Sequence, residues 1–159
     1  DLAVNGKNLY ATVTNTGNIY KLDVSSPENV KEQTPKLFAN IPGANGIIAT
    51  DSIIYVASYP VDGNTSAPNV IYSIRNLENP VTEVFLNRMS QYDGLALSED
   101  GKYLYFSTWV NGNVGKIDIK DKKVENLILP IQLTGPADFS IHKGKLYIPD
   151  LPNSKVLVY

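Results

Sequence analysis

Two dipeptides, Asn45-Gly46 and Asp93-Gly94, stand 48 residues apart, and each opens a short apolar segment. Asp138 and Asp1 occupy nearly the same point of two further segments. Carboxylate, amide, carbonyl and water oxygens are the ligands of a hard cation, about six to eight at a time for calcium. Asn45, Asp93, Asp138 and Asp1 are therefore a candidate metal set, calcium first, if the fold gathers them. The same residue types also cap turns by accepting backbone N–H bonds, which is a purely structural use. Tyr59 and Trp109 follow matching apolar segments (Ala57-Ser58-Tyr59 and Ser107-Thr108-Trp109) and are placed to wall a ligand pocket. Aromatics beside strand ends also serve as packing.

Other chemistries are excluded by what the 159 residues lack. Without cysteine there is no disulfide, thiolate zinc site, iron–sulfur cluster or Cys nucleophile, and the redox compartment stays open. The single histidine, His142, lies in a charged turn (His142-Lys143-Gly144-Lys145) and rules out any site needing two imidazoles. No Gly-x-Ser-x-Gly elbow and no phosphate loop occurs. A formal charge of −2 without a basic stripe argues against nucleic acid as a partner. No apolar run approaches the roughly 18 residues of a membrane span. Asn64-Thr65-Ser66 is a formal glycosylation acceptor, in an Asn-rich chain where the match carries little. The chain starts at Asp1 rather than a methionine, which reads as a processed form or a piece of a longer chain.

The elements that must position these residues form a repeat. Asp1-LAVNGKNLYATV, Gly46-IIATDSIIYVAS, Gly94-LALSEDGKYLYFST and Asp138-FSIHKGKLYIPD share one pattern: apolar alternation, polar turn, second alternation with a tyrosine. Tyr10, Tyr55, Tyr105 and Tyr147 are 45, 50 and 42 residues apart, and their common position marks them as packing between repeats. A third strand recurs as Gly17–Asp23, Asn69–Ile74, Gly112–Asp118 and Ser154–Tyr159, and a fourth near Leu37, Val84 and Val124. Period-2 alternation with Asn-Gly and Asp-Gly turns predicts antiparallel hairpins. The Lys120-Asp121-Lys122-Lys123 run reads as a solvated hairpin tip.

Four strands per repeat of this length is the pattern of a β-propeller blade, whose two faces must be covered by neighbouring blades. The predicted fold is thus all-β: one propeller domain with blades at about 1–43, 44–90, 91–134 and 135–159, the last lacking its outer strand. A four-bladed ring and part of a larger, six-bladed ring both satisfy the pattern; the second is the expectation, with another chain or segment completing the ring.

Asn45-Gly46-Ile47-Ile48-Ala49, and the run from Tyr92-Asp93-Gly94-Leu95 through Asp100-Gly101-Lys102-Tyr103, resemble blade-opening motifs of the SMP-30/gluconolactonase/regucalcin superfamily. NHL-type repeats share them. The resemblance implies a six-bladed propeller in which Asn45 and Asp93 bind a divalent metal at the central channel. It also implies that Asp93 serves as ligand and general base in lactone or ester hydrolysis. The family's first-blade glutamate ligand has no counterpart here, and six blades of this length would need roughly 270 residues. Two functions therefore stand side by side. One is a metal-dependent lactonase-type hydrolase. The other is a non-catalytic propeller, secreted or at the cell surface, that binds a small molecule or a protein across its channel mouth.

Overall fold

The computed structural model describes residues 1–61 and 69–159; the Asn64-Thr65-Ser66 acceptor lies outside them. Among the described residues, fifteen strands meander antiparallel in four separate sheets. Blade 1 comprises β1 (Leu2–Asn5), β2 (Asn8–Val13), β3 (Asn18–Asp23) and β4 (Lys36–Asn40). Blade 2 comprises β5 (Ala44–Ala49), β6 (Ile53–Ser58), β7 (Ile71–Arg75) and β8 (Val81–Leu86). Blade 3 comprises β9 (Tyr92–Leu97), β10 (Tyr103–Thr108), β11 (Asn113–Asp118) and β12 (Val124–Asn126). Blade 4 has three strands, β13 (Ser140–His142), β14 (Lys145–Asp150) and β15 (Lys155–Val158). Each sheet follows chain order from its innermost strand outward, so the arrangement is a β-propeller of antiparallel blades. Two short 3-10 turns, Pro27–Glu32 and Leu151–Asn153, are the described helical elements, and no described helix is long and apolar enough to cross a membrane.

Registers superpose the repeats residue by residue. Tyr10, Tyr55, Tyr105 and Tyr147 pair with Ala3, Ile48, Ala96 and Ser140 on the innermost strands. Tyr10 stacks edge-on against Phe38 of β4 at 5.0 Å, and Tyr55 against Phe85 of β8 at 4.8 Å. An aromatic on the second strand thus meets an aromatic on the outermost strand, closing the wide end of the wedge between blades. Asp121, Lys122 and Lys123 are exposed, as a solvated hairpin tip requires. Lys122 in addition places its amine 3.2 Å from the centre of the Phe85 ring, from blade 3 onto blade 2, as a cation over an aromatic face, and burial lowers its pKa.

Among the described residues, three buried clusters hold the blades together. Tyr10, Ile19, Ile47, Ile54 and Ile74 lie between blades 1 and 2. Tyr55, Ile71, Leu95, Leu104 and Ile117 lie between blades 2 and 3. Ala96, Val114, Phe139, Leu146 and Ile148 lie between blades 3 and 4. Innermost strands follow suit: β1 contacts β5, β5 contacts β9 and β9 contacts β13, with no comparable contact from β13 to β1. Four blades with three interfaces form an open arc, not a closed ring.

Ile47 and Leu2 occupy the same register place in successive blades, opposite Val56 and Ala11, yet Ile47 is 3% exposed and Leu2 63%. In the 159-residue chain, Ile47→Ala should cost about 2–5 kcal/mol in urea unfolding. Leu2→Ala should stay within about 0.5 kcal/mol. Equal losses at both positions would mean that blade 1 buries its outer face.

Candidate site at the channel mouth

The innermost strands of blades 2 and 3 open on β-bulges. Pairing of β5 with β6 runs Ala44↔Ser58 and then Ile47↔Val56, so Asn45 and Gly46 together face one residue. Pairing of β9 with β10 runs Thr108↔Tyr92 and then Phe106↔Leu95, placing Asp93 and Gly94 in the matching bulge. A bulge re-aims the side chain it carries. Blade 4 has the same extra residue between the Pro136↔Asp150 bridge and the Ser140↔Tyr147 pair. Asn45, Asp93 and Ala137 therefore share one place, and Asp1, Gly46, Gly94 and Asp138 the next.

Each glycine is dictated by the following blade. A Cβ on Gly46 would run into the carbonyl oxygen of Asp93, and one on Gly94 would lie 2.9 Å from the carbonyl oxygen of Ala137. Two hydroxyls that sequence reasoning passed over stitch the same seam. Thr12 Oγ1 donates to the Asn45 carbonyl at 2.6 Å, and Ser107 Oγ donates to the Ala137 carbonyl at 3.0 Å. Ser107 also accepts the Gly94 N–H at 2.8 Å. Their signal was a small hydroxyl residue two places after the repeat tyrosine, at Thr12 and Ser107.

The four proposed ligands divide in two. The Asp1 carboxylate accepts the N–H of Leu2 at 2.6 Å and, across the blade boundary, that of Ile47 at 2.9 Å. The Asp138 carboxylate accepts the backbone N–H groups of Phe139 and Leu95, again joining two blades. These two do what a turn cap does. The side chains of Asn45 and Asp93 take no hydrogen bond among the described residues.

Asp93 is a half-buried carboxylate with no donor, and burial pushes its pKa up to about 6, against a smaller downward pull from the Asp1 amino group. Asp138 is raised as well, by burial first and then by the charge of Asp93; water on its exposed side screens part of that push. Tyr59 is raised by burial and, in addition, by Asp93. Asp93 thus lies within electrostatic reach of both Asp138 and Tyr59, and among the described residues no Lys or Arg side chain offsets the charge on the two aspartates.

Tyr59 and Trp109 hold matching places, their backbone N–H groups donating to Gly43 at 2.8 Å and Gln91 at 3.0 Å. Tyr59 faces the surroundings of Asp93, whereas the Trp109 ring lies against Gly135, and Pro152 lies against that same glycine. His142 sits exposed at the β13–β14 turn, remote in register from the bulges. Asp150 is structural: its carboxylate accepts Thr134 N–H at 3.1 Å, Gly135 N–H at 2.9 Å and Asn153 Nδ2 at 2.8 Å, and these bonds lower its pKa. Among the described residues, no three His, Cys, Asp or Glu side chains stand close enough to hold a metal ion by themselves.

No protein-family profile matches this chain, and no curated protein matches it in sequence. Solved structures do. The chain superposes over 99% of its length on 57% of a chain in the nidogen/laminin complex, with TM-score 0.79 and 12% identity. It also superposes on a gluconolactonase from Xanthomonas campestris, with TM-score 0.77 and 16% identity, covering 99% of this chain and 57% of that one. A streptogramin B lyase matches with TM-score 0.70 and 15% identity, covering 99% of this chain and 53% of that one. The chain spans about half the length of these proteins, and at such identities the likeness is one of fold: this is a β-propeller architecture, related in shape to gluconolactonase and streptogramin B lyase.

Proposed function

We propose that the bulge residues form part of a divalent-cation site, calcium first, at the mouth of the channel, and that the site serves lactone or ester hydrolysis. The observation that carries this reading is the Asp93 carboxylate, desolvated and without a hydrogen-bond donor, with Asn45 in the equivalent bulge of the neighbouring blade. An uncompensated carboxylate in such surroundings is costly unless a cation or a proton accompanies it. Asn45 and Asp93 fit a hard cation as two oxygen donors. Asp138 lies beside them with its carboxylate partly engaged, and Asp1 is committed to the backbone of blades 1 and 2. The other ligands would come from water and from the part of the ring that this chain does not supply.

A cation held there would polarise a carbonyl and acidify bound water. The chain's own contributions are then distinct. In the metal-free protein burial pushes the Asp93 carboxyl up to about 6; a cation beside it would favour the carboxylate, the form that can accept a proton as general base. Asn45 adds a neutral oxygen, and Tyr59 narrows the mouth beside Asp93. Trp109, turned toward Gly135, takes the outer wall at most. The likeness to a chain of the nidogen/laminin complex favours a second reading, a non-catalytic propeller that binds a protein partner across the same mouth.

Two measurements separate the readings. Against a panel of lactones and esters with added calcium, zinc or manganese, the protein should turn over at least one substrate. Asp93→Ala should then lose about 100-fold or more of that rate while keeping its circular dichroism. Absence of turnover across the panel, or undiminished turnover in the variant, leaves the partner-binding reading. The second measurement is metal-free stability against pH. A carboxyl raised from 3.8 to about 6 by folding favours the protonated native state, so stability is greatest below about pH 4 and falls as pH rises to 6. Asp93→Asn should flatten that slope. An unchanged slope would mean that Asp93 is solvated.

A further inference from the structure

We infer that the rim of blade 1 carries an anion site, in which Lys7, Lys21 and Lys36 hold the phosphate or sulfate group of a small ester. The inference goes beyond the reading above and does not involve the channel mouth. Its ground is a comparison of the blades. On the third strand, the residue opposite the repeat tyrosine is Lys21 in blade 1, Ser73 in blade 2 and Lys116 in blade 3. The partner of that residue on the outermost strand is Lys36, Glu83 and Glu125 in turn. In blade 3 the two form an ion pair, with Lys116 Nζ 3.3 Å from Glu125 Oε2. In blade 2 the glutamate is answered by Arg75 at 3.5 Å. Of these three blades, blade 1 alone sets lysine against lysine. Like charges directly opposite one another on a sheet are destabilising.

The chain does not itself supply the missing negative charge. Among the described residues, the ion pairs are Arg75–Glu83, Lys102–Asp100 and Lys116–Glu125, and none takes up Lys7, Lys21 or Lys36. Asp23 stands near, yet its carboxylate accepts the Ser25 N–H at 2.9 Å and feels Lys7 and Lys21 only at longer range. Three lysines are thus set against one carboxylate.

A hollow of about 350 Å³ gathers them, lined also by Asn8, Gln33, Thr34 and Asp23. Its walls are tied together. The Val24 N–H donates to the Lys7 carbonyl at 2.7 Å, and Gln33 Nε2 donates to the Asp23 carbonyl at 2.8 Å. These bonds hold the β1–β2 turn and the segment before β4 against the end of β3. Lys21 is half-buried, its amine 5.9 Å from the ring centres of both Tyr10 and Phe38. Aromatic faces attract a cation and so restrict that side chain. Ammonium groups are point charges without the planar fork that suits a carboxylate, and three of them match the non-planar oxygens of a phosphate or sulfate. Asn8, Gln33 and Thr34 add neutral polar groups for the rest of an ester. The volume is at the small end for a ligand pocket, which suits a molecule of monosaccharide size rather than a polymer. Asn45 and Asp93 lie at the opposite end of the blades, where the innermost strands begin.

Titration with inorganic phosphate and inorganic sulfate tests the site, read by calorimetry at constant ionic strength made up with chloride. The parent should bind at least one of them saturably, at one site per chain. Lys36→Glu gives blade 1 the pairing of blade 3. It should fold, melt no lower than the parent without anion, and bind about tenfold or more weakly. Lys36→Gln, which removes the charge without reversing it, should lose a smaller part of the affinity. Lys120→Glu, the same reversal at an exposed turn of blade 3, should leave the affinity unchanged. Glucose 6-phosphate and glucose 6-sulfate then distinguish the two sources, and at least one should bind more tightly than its inorganic ion. The inference is overturned by no saturable binding in the parent, by undiminished binding in Lys36→Glu, by equal weakening in Lys120→Glu, or by neither ester exceeding its ion. None of these measurements uses a metal or a lactone, so they stand apart from the fate of the channel-mouth reading.

Discussion

Every blade here is a sheet with two apolar faces, and the requirement that both be covered organises the rest of the molecule. It fixes the alternation along the strands, because a one-residue slip would turn Ile54 and Val56 away from blade 1 and expose them. It fixes the approach of the innermost strands, which is tight enough that Gly46 and Gly94 carry no Cβ against the next blade's backbone. The bulges follow from the same approach, since the strand must bend where it enters the stack. A candidate site at the mouth is therefore a by-product of packing: the bend that admits the glycine also turns Asn45 or Asp93 aside.

Much of this was legible in the sequence. The repeat tyrosines gave the register of all four blades, and the Asn-Gly and Asp-Gly steps marked where innermost strands begin. What stayed hidden depended on contacts between blades, to which sequence spacing is blind. Asp1 and Asp138 look like Asp93 in the sequence, yet each of their carboxylates accepts two backbone N–H groups, one of them a blade away. Lys122 looks like part of a charged turn, yet it reaches across to Phe85. Thr12 and Ser107 look like ordinary strand residues, yet each bonds the neighbouring blade's innermost strand.

The contrast between the two pairs of acidic or amide positions is the strongest pointer to chemistry. Hydrogen-bonded Asp1 and Asp138 account for themselves as joints between blades. Asn45 and Asp93 do not, because among the described residues their side chains take no hydrogen bond. Asp93 carries an electrostatic penalty that the fold alone gives no reason to keep. Functional sites are where such penalties collect.

Calcium titration followed by thermal unfolding addresses that contrast most directly, on the parent and on Asp93→Asn. A ligand that binds only the folded protein adds about 2.7 kcal/mol at a hundredfold excess over its dissociation constant, or several degrees in a chain of this size. The account predicts that shift in the parent, its loss in the variant, and a higher metal-free melting temperature for the variant at neutral pH. No shift in the parent with calcium, zinc or manganese would contradict it and make Asp93 a strained structural residue.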